Sequence, residues 1–347
     1  MADAPSNSQL SRWSAHCNGR LGCTKPIATA FALRETMGEN SCLLAGGIEP
    51  YKMIVPEFQQ VAVTTMGEAS LLTDFGQINV IDSVEQTFLC PLDKVTVLTA
   101  HKAEPDQHKC LTALSNADLE GHRPPAFYVF DEAGTVIHRV DLTNSDDALI
   151  MASSCSALDR WDGSARLFKT ENQSSCDHKN VVSIVHHLKR RKDWGAMQQP
   201  DHLNDILSDG GKSRFRSLQY LGAEYAFETK PEVLTHFLGY LVERKISFTR
   251  IVTRPRVLQA HRGYAQYMHL KDKILSIYSG HSIMALDVSA INSIWVVNYQ
   301  AGNRQELSLE IFDRNDNCLA VISCDPEKTS NCYVNWTELL KSLPIIA

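Results

Sequence analysis

The residues whose types could do chemistry are concentrated between positions 250 and 268. Arg250, Arg254, Arg256, His261 and Arg262 are interleaved there with Tyr264, Tyr267 and Met268 along a strand-like pair of runs. Cations beside aromatic and thioether surface can hold a flat, acidic ligand, with salt bridges to its acid groups and stacking on its face. The same pattern also describes solvent-facing charge on alternating strands, and the residue types leave both readings open. A second basic run, Lys189-Arg190-Arg191-Lys192, follows His186 and His187 and reads as a solvated linker or helix face. With a net charge of −6 and no nucleic-acid-binding motif, no nucleic-acid partner is expected.

Other constellations are weaker. His101, His108 and Cys110 lack any zinc-site spacing and fall in a polar stretch. The ten cysteines include no CxxC pair, and most sit beside apolar residues, as in Phe88-Leu89-Cys90 and Val321-Ile322-Ser323-Cys324. They read as small buried hydrophobes in a reducing compartment. No Ser-His-Asp, Cys-His or paired-carboxylate arrangement has a telling spacing, and neither GxGxxG nor a P-loop is present. Charge is uneven: residues 1–175 carry a net −9 and residues 176–347 a net +3, which makes the second half the natural home for an anionic ligand. The first thirty residues are polar and no apolar run reaches membrane-span length, so the expectation is a cytoplasmic protein without membrane insertion.

These groups need elements to position them, and the elements repeat. Phe127–Val140 and Leu309–Ile322 each alternate in strand fashion around a turn, and Phe130-Asp131 superposes on Phe312-Asp313 at an offset of 182 residues. Both are antiparallel hairpins by their turn chemistry. Ahead of the first lie a helical stretch at Ala32–Ala45, a shorter one at Pro50–Gln60, and strand-like runs near Val61 and Leu71. Ahead of the second lie helices near 203–207, 214–227 and 231–244, then strands from Ile246 and Ile291. In helix 231–244, Val233, Leu234, Phe237, Leu238 and Leu241 form one apolar stripe, a core face. A closing helix begins at Asn335. The expected fold class is α+β, a tandem duplication in which each half has helices, a large antiparallel β-sheet and a closing helix. The boundaries are a polar segment 1–29, a first repeat 30–158, a linker 159–180 and a second repeat 181–347.

Several segments carry a resemblance. Leu33-Arg-Glu-Thr-Met-Gly-Glu-Asn-Ser-Cys-Leu-Leu is similar to the N-terminal helix–turn–helix of the HemS/ChuS haem-utilisation family. Trp194-Gly-Ala-Met197 and the run through Leu238 lie on the family pattern without a gap. Arg262-Gly263-Tyr-Ala-Gln266 fits its Asn-Arg-Gly-x-x-Gln strand with His261 in place of Asn. Ile291-Asn-Ser-Ile-Trp-Val-Val and Leu307-Ser-Leu-Glu-Ile-Phe-Asp resemble two further family strands, so the likeness spans residues 30–342. It implies haem held in a cleft beside a sheet, in a cytoplasmic protein for haem trafficking or haem degradation after uptake. A haem-uptake system or a haem oxygenase would then be its partner. A non-catalytic paralogue that keeps the fold as a binding or scaffold module is the alternative.

Haem asks for an axial ligand, an apolar slot and cations for two propionates. The family ligand is a His shortly after Trp-x-x-Met. The gapless placement puts Asp201 there and His202 one residue later, about 100° further round a helix. His202 is therefore the axial-ligand candidate on a local backbone shift, or else an exposed residue in a first turn capped by Asp201. Arg254, Arg256, Arg262 and His261 are the propionate and pocket candidates, Arg262 alone lying in a family motif. Elsewhere the chain departs from the pattern: Asn298-Tyr299-Gln300 replaces Arg-Lys-Pro, and Met66-Gly67-Glu68 and Leu72 replace Arg-Asn-Glu and its nearby His.

Overall fold

The computed structural model describes residues 41–43, 61–65, 67–75, 82–83, 86–89, 96–100, 126–130, 136–142, 193–194, 196–197, 202–203, 205–206, 210–254, 257–279, 282–301, 304–325 and 330–346. The first part of the chain contributes β1 (Ser41–Leu43), β2 (Val61–Thr65), β3 (Ala69–Phe75), β4 (Asp82–Ser83), β5 (Gln86–Leu89), β6 (Thr96–Ala100), β7 (Ala126–Phe130) and β8 (Val136–Leu142). The later part contributes α1 (Lys212–Leu221), β9 (Ala226–Thr229), α2 (Val233–Glu243), β10 (Ser247–Arg254) and β11 (Val257–Tyr264). There follow β12 (Tyr267–Lys271), β13 (Ile274–Ser279), β14 (Ser282–Asp287), β15 (Ile291–Ala301), β16 (Arg304–Asp313), β17 (Cys318–Cys324) and α3 (Ser330–Lys341).

The strands form two antiparallel sheets, one ordered β1-β6-β7-β8-β2-β3-β14-β13-β12 and the other β4-β5-β11-β10-β17-β16-β15-β9. Read from its β9 end, the second sheet places β9-β15-β16-β17-β10-β11 where the first has β1-β6-β7-β8-β2-β3. The two sheets thus share one strand order, and the fold is a duplicated α+β architecture. Each sheet is finished by strands from the other part of the chain: β14 pairs with β3, and β5 pairs with β11. The hairpins expected around Phe130 and Phe312 are β7–β8 and β16–β17.

Local chemistry explains most elements. Helix α2 buries Leu234, Phe237, Leu238 and Leu241. It closes with Lys245 in the left-handed region (φ 52°), so that the amides of Lys245 and Ile246 donate to Val242 and Leu241 carbonyls at 3.1 and 2.9 Å. Two expectations are corrected. The stretch expected to be helical at Ala32–Ala45 contains strand β1, where Ser41–Leu43 pairs with Leu98–Ala100, so sheet pairing overrides local helical period. The helix expected over 214–227 ends at Leu221; Gly222 (φ 85°) turns the chain, and Ala226–Thr229 joins β15 as a strand. The polar segment 1–29, the linker 159–180, the helix at Pro50–Gln60, the His101–Cys110 group and the basic run Lys189–Lys192 lie outside the described residues. Among the described residues no helix is long and apolar enough to cross a membrane.

One continuous core ties the two sheets together. Ala69 and Leu71 of β3 and Met284 and Leu286 of β14 pack in it with Phe248, Val252 and Leu309 of the second sheet. Helices α2 and α3 join the same core, with Phe237 edge-on to Trp336 at 5.5 Å and the Trp336 indole donating to the Leu307 carbonyl at 2.7 Å. Because Leu71 is wholly buried at this junction, Leu71→Ala is expected to lower stability by about 2–5 kcal/mol, measured by urea unfolding.

Candidate functional site

Strand alternation gives the second sheet two faces with different fates. Phe248 and Val252 on β10 and Leu309 and Ile311 on β16 point into the inter-sheet core. Ile251, Trp295, Phe312 and Val321 point the other way, into a second core formed with Trp194, Ile206 and α1. Glu310 and Ser308 share this second face of β16, and both are buried. Helix α1 is pressed onto it at its first turn. Gly211 sits at φ 90°, and a Cβ there would come within 2.8 Å of the Cys318 side chain, so glycine is required for both conformation and approach. The Cys318 amide donates to the Gly210 carbonyl at 2.7 Å, pinning the helix start to β17.

That placement drives Arg214, in the first turn of α1, under the sheet. Its side chain is 1% exposed and so is that of Glu310. Arg214 Nε donates to Glu310 Oε2 at 2.7 Å, and Nη2 donates to Oε1 of the same carboxylate, a bidentate fork. The third arm, Nη1, meets His202 Nδ1 at 2.8 Å. The guanidinium carbon lies 4.5 Å from the Trp194 ring centroid, and Trp194 itself is edge-on to His202 at 4.8 Å. Tyr299 closes the far side of the imidazole, 5.9 Å between centroids. Burial pulls the Arg214 guanidinium down, but Glu310 outweighs it, so the group is held above its ordinary value. Burial first, and then Glu310, pushes the Cys318 thiol up to about 12. It is an inert, packed cysteine. The Tyr299 phenol is likewise pushed up by burial and by Glu306, to which it donates at 3.3 Å.

Around these groups is a cavity of about 20 Å³, lined by His202, Leu203, Ile206, Arg214, Ile251 and Val321, with Tyr299, Ser308, Glu310 and Ser323. The donor set suits haem: an imidazole, apolar walls and a cation meet in one place. The space is about the size of one water. Among the described residues no cluster of three or more His, Cys, Asp or Glu could hold a metal ion.

The residues singled out in the sequence are dispersed by this geometry. His202 is 3% exposed. It is therefore not the exposed first-turn residue that one reading allowed. Arg254 and His261 lie on the opposite face of the sheet, in the seam with the first sheet, so they do not converge with His202. Arg254 crosses over Gly67 and pairs with Glu68. His261 Nδ1 meets Arg250, whose guanidinium stacks 5.0 Å over Phe248. Arg262 faces the crevice side but pairs with Asp325 at 3.6 Å, away from the cavity. Arg256 lies outside the described residues. Tyr264 and Tyr267 are exposed. Arg214, the charged group that does meet His202, and Glu310, which holds Arg214, escaped sequence reasoning.

Comparison with known proteins came out one-sided. No protein-family model matches the chain and no curated protein matches it. Solved structures do. Holo-PhuS, a haem-binding protein from Pseudomonas aeruginosa, superposes with a TM-score of 0.74 over 99% of this chain and 100% of its own, at 16% identity. Apo-PhuS gives 0.72 over 98% and 99% at 15% identity. ChuS, an E. coli haem oxygenase, gives 0.69 over 91% and 93% at 13% identity. The chain thus has the duplicated α+β fold of these haem proteins. At such identities the shared property is the architecture, carried by a strongly divergent sequence.

Two mutational outcomes follow from the electrostatics. Glu310→Ala leaves a buried guanidinium without its carboxylate and is expected to cost about 3–5 kcal/mol in chemical denaturation. Arg250 is the converse case. Burial lowers it to about 9, and its Nε and Nη1 have no hydrogen-bond partner among the described residues. Arg250→Met is therefore expected to raise stability, by about 1–4 kcal/mol, in the same assay.

Proposed function

We propose that this chain binds haem in the crevice between His202, Leu203 and Ile206 and the second sheet, as a cytoplasmic protein of haem utilisation that carries haem or passes it on for degradation. The observation that supports this is His202: a buried imidazole set among Leu203, Ile206, Ile251 and Val321, beside a cationic side chain, in a fold that holo-PhuS shares. In this reading His202 supplies the axial ligand and the apolar side chains exclude water. Arg214, held by Glu310, sets a buried guanidinium beside the imidazole, and Tyr299, its proton held by burial, stays a neutral wall. Arg262 remains a candidate for an acid group once Asp325 is exchanged for it. Bound haem would supply the iron and its redox chemistry, while the protein sets ligation, polarity and access. A haem-uptake system upstream and a haem oxygenase downstream are the partners this role would need.

A second reading has its own support. The Arg214–Glu310 fork is buried against the imidazole, and the cavity beside it is water-sized. A module of this fold without haem chemistry would look the same. Titration of the purified protein with haemin separates the two. Haem binding predicts a saturable, stoichiometric Soret band that is lost or shifted in His202→Ala. Uptake that never saturates, or a band indifferent to His202, favours the module.

A further inference from the structure

A guanidinium has N–H donors and no acceptor, so the atom facing it must accept. Arg214 Nη1 lies 2.8 Å from His202 Nδ1. Nδ1 therefore presents its lone pair, and the ring proton of the neutral imidazole sits on Nε2. This inverts the arrangement of a metal-bound histidine, which ligates through one nitrogen and donates from the other to a carboxylate or carbonyl. With Nδ1 occupied by a donor, Nε2 carries a hydrogen where a metal would need a lone pair. Moving the proton to Nδ1 would aim two N–H groups at each other.

The donor is not able to turn aside. Two of its arms are held by Glu310, its face is stacked on Trp194, and the whole group is buried. We infer that Arg214, braced by Glu310, is a positioning residue that locks His202 as the Nε2–H tautomer, so that the imidazole cannot ligate iron until the guanidinium is displaced. This inference deepens the haem-binding reading and rests on it for the step of ligation. The lock itself is a property of the protein alone. It makes ligand capture conditional on separating the guanidinium from the imidazole, both of which line the cavity.

The test begins without haem. In protein labelled with ¹⁵N-histidine, two-bond ¹⁵N–¹H correlation spectra, with the His202 signals assigned by their loss in His202→Gln, are expected to show Nε2 protonated and Nδ1 bare. A proton on Nδ1 overturns the lock. This measurement needs no variant of the pair and is blind to whether haem binds. The second arm replaces the pair together, Arg214→Met with Glu310→Leu, since removing both charges avoids stranding either one. The Soret band on adding haemin is then expected to form about tenfold faster or more than in the unaltered protein, the scale of one charge-assisted hydrogen bond. An unchanged rate in the folded double variant overturns the coupling. If neither protein takes up haemin, the haem reading fails while the nitrogen spectra still decide the lock.

Discussion

Successive residues of a strand point to opposite faces, and in this protein both faces of the second sheet are covered. Everything near the crevice depends on that parity. β10 sends Phe248, Arg250 and Val252 into the seam between the sheets and Ile251 towards α1. β16 sends Leu309 and Ile311 one way and Ser308, Glu310 and Phe312 the other. A one-residue slip in β16 would move Glu310 into the seam and leave Arg214 without a counter-charge. Register is therefore what assembles the site, and register is fixed from a distance. Gly210 and Thr253 both bond to the backbone of Cys318, at 2.7 Å each, holding helix start, strand β10 and strand β17 in step.

The exchange of strands between the sheets has a second consequence. β5 adds to the second sheet and β14 to the first, so each sheet is completed by pairing with a segment distant in the chain. Gln259 of β11 accepts at 2.9 Å from both the amide and the hydroxyl of Thr65 on β2, and Arg254 reaches Glu68. Arg254, one of the cations that looked like ligand-binding groups, is thus spent on joining the two parts. With Gln259 it fastens a seam that also holds the buried pair Arg250 and His261.

How much of this could be read from the sequence follows the range of the interaction. The two hairpins offset by 182 residues were legible because turn chemistry is local, and α2 was legible because its stripe has helical period. The exchanged strands were not, since nothing local says which edge a hairpin will join. The helix expected to run past Gly222 and the helix expected across Ser41–Leu43 failed for the same reason: a partner strand elsewhere decided the backbone. His202 came to notice only through resemblance. Arg214 and Glu310 left fainter marks. Arg214 sits one place before Phe215 on a helix whose apolar stripe continues through Leu218 and Leu221. Glu310 stands between Leu309 and Ile311 in a strand with every residue after Gln305 buried. A charge on a buried stripe and an opposite charge in a two-sided buried strand are each anomalies, and only their pairing explains either. The basic alternation at 250–262 revealed parity but not which face would meet His202.

Arg214 of α1 and Arg250 of β10 are both fully buried, at opposite faces of the same sheet, and the contrast between them bears on what the crevice is for. Arg250 is met by a histidine and an aromatic ring, and burial lowers it to about 9. Arg214 is met by a carboxylate in fork geometry and is held above its ordinary value. Stability alone does not argue for the second arrangement, because apolar side chains of similar volume serve a core as well as a buried ion pair or better. What a fork supplies that an apolar plug does not is direction. With two arms fixed on Glu310, the third is aimed, and it is aimed at one particular nitrogen of the His202 imidazole that lines the cavity. The ion pair is best understood as the part of the site that decides how His202 faces whatever enters.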